Sequence, residues 1–128
     1  MSKNYPEITR SVSRSLEKLR ADIPEVMRSF GALAQSATRA GALDTKAKEL
    51  IAVSLAVAAR CDACIGFHVQ TLVRLGTTRI ELEEALGMAV YMGGGPSLMY
   101  AADALVAYEQ YQDAMKQRTE APPIAIGD

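Results

Sequence analysis

The sequence predicts an all-α, single-domain helical bundle of about five to six helices, and three observations carry this prediction. The chain has 128 residues, which suits one domain with its own core. Hydrophobic residues make up 49% of it, with no Trp and only two Phe, so Ala, Leu and Val supply most of the buried surface. Ala-rich apolar sequence favours closely packed helices over strands. The apolar residues also recur at the three-to-four-residue spacing of helices.

Residues 1–42 are predicted to form an N-terminal helical segment that packs on the core. The apolar residues of its first helix share one face: Ile8, Val12, Leu16 and Leu19. For the second helix, Asp22 is the expected N-cap, with Glu25 at the capping-box position. The predicted buried side of that helix consists of Val26, Phe30 and Leu33.

Residues 43–118 are predicted to form the core of the domain. Its first helix should begin at Asp44 or Thr45, both of which are good N-caps. Residues 50–59 are almost wholly apolar, which predicts a helix surrounded on most sides. The next helix should end at Gly76, a residue type that favours helix C-termini.

The last two predicted helices meet at the sharp connector Gly93–Pro96. The first of them starts at Thr77-Thr78 with Glu81 at the capping-box position. Its predicted buried residues are Leu82, Ala85, Leu86 and Ala89. The final helix, Pro96 to about Arg118, has more apolar residues than one face of the core needs, so we expect contact with another copy of the chain. Residues 119–128 are predicted to be a flexible tail.

The charge of the chain argues against two classes of partner. Its formal net charge is −1, with basic and acidic residues intermixed. Such a sequence has no basic stripe to follow a phosphate backbone, so we expect no nucleic-acid partner. No apolar run reaches the roughly 20 residues that a membrane span needs, so we expect no membrane partner and a cytoplasmic location.

The reactive side chains are concentrated in the stretch 60–68, which holds the only two cysteines and the only histidine. On one helix, Cys61, Cys64 and His68 fall within roughly 60° of each other. The same stripe includes Ile65, Leu72 and Leu75, whereas Asp62, Gln70 and Arg74 lie opposite. We therefore expect the thiols and the imidazole to point toward the interior. Cys61 should lie in the first turn of this helix, where backbone amides stabilise a thiolate.

Glu49 is the carboxylate expected to join this group. It lies on a helix face lined with small residues, where a neighbouring helix can approach and exclude water. A carboxylate with reduced hydration is suited to proton transfer. The alternative is a Glu near a helix N-terminus that serves the helix dipole or a surface ion pair.

These residues carry a resemblance to a known family. Glu49 followed by Cys61-x-x-Cys64-x-x-x-His68, between Leu43 and Pro96, resembles the AhpD-like alkylhydroperoxidases of the carboxymuconolactone decarboxylase superfamily. The resemblance implies an AhpD-like helical bundle and a thiol-dependent peroxidase with a disulfide cycle.

The resemblance also implies roles for the residues. Cys64 is similar to the cysteine that attacks the peroxide, and Cys61 to the one that closes the disulfide. Glu49 and His68 correspond to the proton relay. The implied partners are a peroxide substrate, a dithiol or protein reductant, and further copies of the chain in a homotrimer or homohexamer, with no cofactor. The founding enzyme type has a His between the thiols, where this chain has Asp62-Ala63.

Three alternative functions use the same residues or family. Two Cys, a His and a Glu are a possible ligand set for a tetrahedral zinc site. A redox-sensing assembly protein would use the thiols to report oxidation. A decarboxylase-like member of the superfamily would do without the thiol pair.

Overall fold

The computed structural model describes residues 3–120, which form a bundle of α-helices with no strand among them. The six helices in these residues are α1 Tyr5–Asp22, α2 Pro24–Thr38, α3 Thr45–Ala59, α4 Asp62–Arg74, α5 Arg79–Gly93 and α6 Gly95–Glu120. The predicted all-α class and the predicted number of helices are therefore confirmed.

Helices α3 and α4 lie at the centre of the bundle. Helix α3 packs against α2, α4, α5 and α6, and α4 packs against α1, α3 and α6. Helices α3, α4 and α5 all contribute fully buried side chains to the core: Val53, Val57, Ile65, Val69, Leu72 and Leu82. Full burial of such a side chain stabilises the fold by about 1.5–3 kcal/mol. The two helices that carry the candidate site are thus anchored in the core of the bundle.

Several predicted helix ends are confirmed. The side chain of Asp44 accepts a hydrogen bond from the Ala47 amide at 2.7 Å, which caps α3. Thr78 and Glu81 form a complete capping box at the start of α5. Gly76 follows the last residues of α4 with a φ of 75°, a conformation that glycine adopts without strain.

The predicted start of α2 is wrong. Asp22 is the last residue of α1, and the N-cap of α2 is Ile23, which makes no side-chain capping bond. Pro24 is the first helical residue of α2. Because proline disfavours a helical conformation in the residue before it, the chain breaks at Ile23 and leaves Asp22 in the preceding helix.

The prediction that one side of α2 is buried is also wrong for the single chain. Val26, Phe30 and Leu33 are 62%, 66% and 62% exposed, because α2 contacts only α1 and α3 and turns this face away from both. Helix α3 meets four other helices, as predicted, but Ile51 and Leu55 on its remaining face are exposed. The periodicity identifies an apolar face but not the surface that covers it.

Helix α6 begins as predicted at the glycine-rich connector and continues to Glu120, two residues into the predicted tail. The rest of that tail, residues 121–128, lies outside the described residues. The boundary at residue 42 between the N-terminal segment and the core stays a prediction. Across residues 3–120, every helix is too short or too polar to cross a membrane.

Candidate active site

The candidate site is built at the junction of α3 and α4. Helix α3 ends at Ala59, and Arg60 after it takes a left-handed conformation with a φ of 58° that redirects the chain. Cys61 follows as the N-cap of α4, and its sulfur accepts a hydrogen bond from the Cys64 amide at 3.3 Å. Cys61 therefore lies just before the first turn, not within it as predicted. A disulfide joins Cys61 to Cys64, with their Cα atoms 5.3 Å apart.

The thiol pair does not point into the interior of the single chain, which corrects the prediction. Cys64 is exposed, Cys61 is half-buried, and Leu75 at the other end of the same stripe is exposed. Ile65 and Leu72 are fully buried. The stripe is about 100° wide, so its two edges meet different surroundings. Cys64 and Leu75 occupy the outer edge, and Ile65 and Leu72 occupy the inner edge.

The second part of the site is a hydrogen-bonded pair formed by His68 and Glu49. Nδ1 of His68 lies 2.6 Å from Oε2 of Glu49, a distance typical of a charge-assisted hydrogen bond. The Glu49 side chain is only 7% exposed, as expected from its position on α3, and that of His68 is 34% exposed. An ionised Glu49 accepts a hydrogen bond from Nδ1–H of His68, which leaves Nε2 as the ring nitrogen that can accept a proton.

The structure brings the four predicted site residues into two bonded pairs at one junction. Cys61 is bonded to Cys64, and Glu49 is hydrogen-bonded to His68. His68 lies four residues after Cys64 on α4, so the imidazole is about 6 Å further along the helix axis. The arrangement places the exposed sulfur of Cys64 one turn away from an imidazole with a buried carboxylate behind it.

One group at this junction was missed by sequence reasoning. Asp62, between the two cysteines, was predicted to face water, but its Oδ1 accepts hydrogen bonds from the Tyr5 hydroxyl and from Nζ of Lys3, each at 2.9 Å. Lys3 also donates to Asp103 at 2.8 Å. These partners lie far from Asp62 in sequence, and the only local signal was a charged residue inside the thiol motif.

The pKa values of two of these partners are raised. The pKa of Lys3 is raised chiefly by its hydrogen bond to Asp103, which keeps the ammonium charged at pH values above its ordinary pKa. The pKa of Tyr5 is raised chiefly by burial, and second by its hydrogen bond to Asp62. Both side chains therefore remain protonated donors at neutral pH.

The predicted zinc ligands do not form a ligand cluster. Within residues 3–120, no grouping of three or more His, Cys, Asp or Glu side chains has the arrangement to hold a metal ion. The two sulfurs are bonded to each other, and His68 directs Nδ1 to Glu49.

Comparisons with known proteins place this geometry in a family. The model of the carboxymuconolactone decarboxylase family matches residues 24–107. An uncharacterised protein of Cupriavidus necator is 40% identical over 98 residues, which cover 77% of this chain and 87% of that protein. An uncharacterised protein of Haemophilus influenzae is 33% identical over 108 residues, which cover 84% of this chain and 96% of that protein.

Two solved structures resemble the fold. A carboxymuconolactone decarboxylase family protein from Legionella pneumophila, in its apo form, superposes with a TM-score of 0.84 at 59% identity, covering 87% of this chain and 99% of that one. A family member from Thermotoga maritima, for which a part in the antioxidative response has been suggested, gives a TM-score of 0.77 at 27% identity, with coverage of 91% and 98%. The chain therefore belongs to the carboxymuconolactone decarboxylase family.

Proposed function

We propose that the protein is a thiol-dependent hydroperoxide reductase that acts on alkyl hydroperoxides. One observation carries the proposal: a disulfide-forming cysteine pair at the start of α4 lies one helical turn before a His whose other side is held by a buried Glu. Membership of the family and the antioxidative role suggested for the Thermotoga maritima protein support it.

Cys64 is the attacking residue in this proposal because it is the more exposed of the two cysteines and lies inside the first turn of α4. Its thiolate attacks the terminal peroxide oxygen, and the O–O bond breaks. Cys64 becomes a sulfenic acid, and the alkoxide leaves as an alcohol after taking a proton. Nε2 of His68 can take the proton of the Cys64 thiol when the thiolate forms and then give it to the alkoxide, with Glu49 balancing the imidazolium charge in between.

Cys61 resolves the sulfenic acid. Its thiolate attacks the sulfur of Cys64, the S–O bond breaks, and the oxygen leaves as water after protonation. The product is the Cys61–Cys64 disulfide. Since the N-cap position holds Cys61 next to the first turn, this step is intramolecular and fast relative to attack by a free thiol.

A dithiol closes the cycle. One thiolate of the reductant attacks the disulfide to form a mixed disulfide, and its second thiol then releases the protein in the dithiol form. The exposure of Cys64 gives such a reductant, whether a small dithiol or a protein, direct access. We also propose a cytoplasmic location, where a reducing environment would recycle the disulfide.

We further propose that the protein assembles as a homotrimer or homohexamer. In the single chain, α2, α3 and α5 expose large apolar side chains that a second subunit would bury: Val26, Phe30, Leu33, Ile51, Leu55 and Met88. An apolar groove of about 400 Å³ between α5 and α6 offers a complementary surface on a second copy.

Two cysteine variants test the peroxidase proposal. Cys64→Ser should abolish peroxide consumption, because it removes the attacking sulfur. Cys61→Ser should consume one equivalent of peroxide and then stop with a sulfenic acid that dimedone traps on Cys64. Mass spectrometry of the dimedone adduct identifies the residue. Equal peroxide reactivity of the native protein and Cys64→Ser would refute the assignment.

The proton relay has its own test. Glu49→Gln and His68→Gln should each slow the reaction of the reduced protein with peroxide and move its pH dependence upward, because the base that assists thiolate formation is weakened or removed. Stopped-flow rates measured from pH 5 to pH 9 read the shift. Profiles that match the native protein would assign both residues to packing alone.

A further inference from the structure

The negative charge inside the thiol motif is paired by a residue from the far N-terminus of the chain. Asp62 is the first residue of α4, directly after Cys61, and its side chain is 34% exposed. Nζ of Lys3 lies between two carboxylates, 2.9 Å from Asp62 and 2.8 Å from Asp103 of α6. The ammonium also lies 4.7 Å from the centre of the Tyr100 ring. Lys3 therefore places one positive charge between two carboxylates, one of which directly follows Cys61.

The backbone around Lys3 is held in place independently of this charge. Gln110 of α6 accepts a hydrogen bond from the Tyr5 amide at 2.8 Å and donates one to the Lys3 carbonyl at 2.7 Å. The Tyr5 side chain is completely buried, and its hydroxyl donates to Asp62. The chain thus presents the Lys3 ammonium to Asp62 from a fixed position, and loss of the ammonium alone leaves these anchors intact.

The charge of Asp62 is close to both cysteines along the chain, because Asp62 follows Cys61 directly and precedes Cys64 by two residues. A carboxylate beside a thiol opposes ionisation of that thiol, since two negative charges then lie close together. An adjacent cation reverses much of this effect. The charged and titratable groups around the motif are Lys3 and Tyr5 from the N-terminal segment, Asp103 and Tyr100 from α6, the neighbouring Arg60, and the His68–Glu49 pair.

We propose that Lys3 and Asp62 are positioning residues of the redox site, in which Lys3 neutralises the carboxylate between the cysteines and so maintains thiolate formation in the reduced protein. This role of Lys3 and Asp62 in peroxide reduction rests on the proposed function. It also assigns a task to the Asp62-Ala63 dipeptide of the motif, because the carboxylate ties the thiol pair to the N-terminal segment.

A double-mutant cycle on thiol alkylation tests this proposal. The reduced protein is treated with iodoacetamide from pH 5 to pH 10, and Cys64 modification is followed by peptide mass spectrometry. Lys3→Met should move the alkylation midpoint upward by about 0.5 to 1 pH unit, which slows alkylation below the midpoint about 3- to 10-fold. Lys3→Arg should keep the native profile, because it keeps the charge.

The second half of the cycle removes the carboxylate. Asp62→Asn alone should move the midpoint downward, and Lys3→Met in the Asp62→Asn background should have less than half of its effect in the native background. An equal shift from Lys3→Met in both backgrounds, or no shift in either, would overturn the proposal. Should Lys3→Met fail to fold by circular dichroism, the downward shift from Asp62→Asn decides, and its absence overturns the proposal.

Alkylation needs no peroxide, so the two proposals fail separately. A protein that shows the coupling between Lys3 and Asp62 but consumes no peroxide would retain this inference and lose the peroxidase assignment. A protein that consumes peroxide, but whose alkylation profile is unchanged by both substitutions, would retain the peroxidase assignment and lose this inference.

Discussion

Helices α2 and α4 both carry a stripe of apolar side chains at helical spacing, but only the stripe of α4 is buried by its own chain. Ile65, Val69 and Leu72 of α4 are fully buried, whereas Val26 and Phe30 of α2 are more than half exposed. Helix α4 has neighbours on three sides and α2 has only α1 and α3. The same sequence pattern thus builds the core in one region and an exposed apolar surface in the other, which we propose is covered by another subunit.

The largest expected effect is a difference in the free energy of unfolding between a variant of the α4 stripe and a variant of the α2 stripe. Ile65→Ala should lower the free energy of unfolding by about 2–5 kcal/mol, because it leaves a cavity between packed helices. Phe30→Ala should cost less than about 1 kcal/mol at protein concentrations where the subunits are separate, since the ring is 66% exposed. Urea unfolding of both variants measures the difference. Similar losses would mean that α2 is part of the core of the single chain.

A pair of glycines sharpens the same comparison. A Cβ at Gly66 of α4 would lie 2.6 Å from Cγ2 of Thr9, so Gly66→Ala should destabilise the protein by about 1–3 kcal/mol through overpacking against α1. Thr9 cannot easily move, because its hydroxyl lies 2.8 Å from that of Tyr111 in a buried hydrogen bond.

The matched control is Gly31→Ala on α2. Among residues 3–120, nothing beyond the neighbouring residues and local backbone of α2 lies within 4 Å of a Cβ at Gly31, so this substitution should stabilise the protein by about 0.5–1 kcal/mol through helix propensity. Thermal unfolding of the two alanine variants should therefore move in opposite directions. Destabilisation by both would show that α2 is more tightly covered than one chain allows, and stabilisation by both would show that α1 leaves room for a methyl group at Gly66.

The exposed stripe also makes a prediction about assembly. Phe30→Ser should shift the native mass toward single subunits, because a polar side chain weakens burial of this face against a second copy. Sedimentation velocity of the native protein and the variant reads the change. Glu17→Ser is a control at another exposed position on α1. Unchanged mass for Phe30→Ser would remove α2 from the proposed interface.

The smallest effect concerns the edge of the bundle, where α3 and α5 are joined by charge. Nζ of Lys46 lies 2.6 Å from Oε2 of Glu81, and this hydrogen bond is the main cause that lowers the Glu81 pKa from 4.5 to about 2. Because the folded pKa is the lower one, the pair stabilises the fold above pH 4.5 and loses this contribution as pH falls toward 2.

Thermal unfolding between pH 5 and pH 2 tests the charged pair. Glu81→Gln should show a slightly smaller loss of Tm across this window than the native protein, since the amide keeps the capping geometry but does not titrate. Identical slopes for the two proteins would show that the exposed pair contributes nothing measurable.

Features set by neighbouring residues could be predicted from the sequence. The all-α class follows from composition and periodicity, and the caps at Asp44 and Thr78 and the turn at Gly76 follow from local chemistry. The burial of Glu49 was also predictable, because small residues on its helix face let α4 approach. For the caps and the turn the deciding interaction lies within a few residues, and for Glu49 the deciding small side chains lie on its own helix.

Features that depend on distant residues could not be predicted. Asp62 meets Lys3 and Tyr5, which are 59 and 57 positions away, and no local pattern marks such a pairing. The exposure of Cys64 and of the α2 stripe depends on which surface covers an apolar face, and periodicity carries no information about that surface. The start of α2 was missed because Pro24 overrides the capping preference of Asp22.

The most direct test of the central claim is a titration of the reduced protein with cumene hydroperoxide in the absence of a reductant. We expect one peroxide consumed and one cumyl alcohol formed per chain, with loss of both thiols and appearance of the Cys61–Cys64 disulfide by peptide mapping. Peroxide that survives an excess of reduced protein, or that is consumed while both thiols persist, would contradict the account.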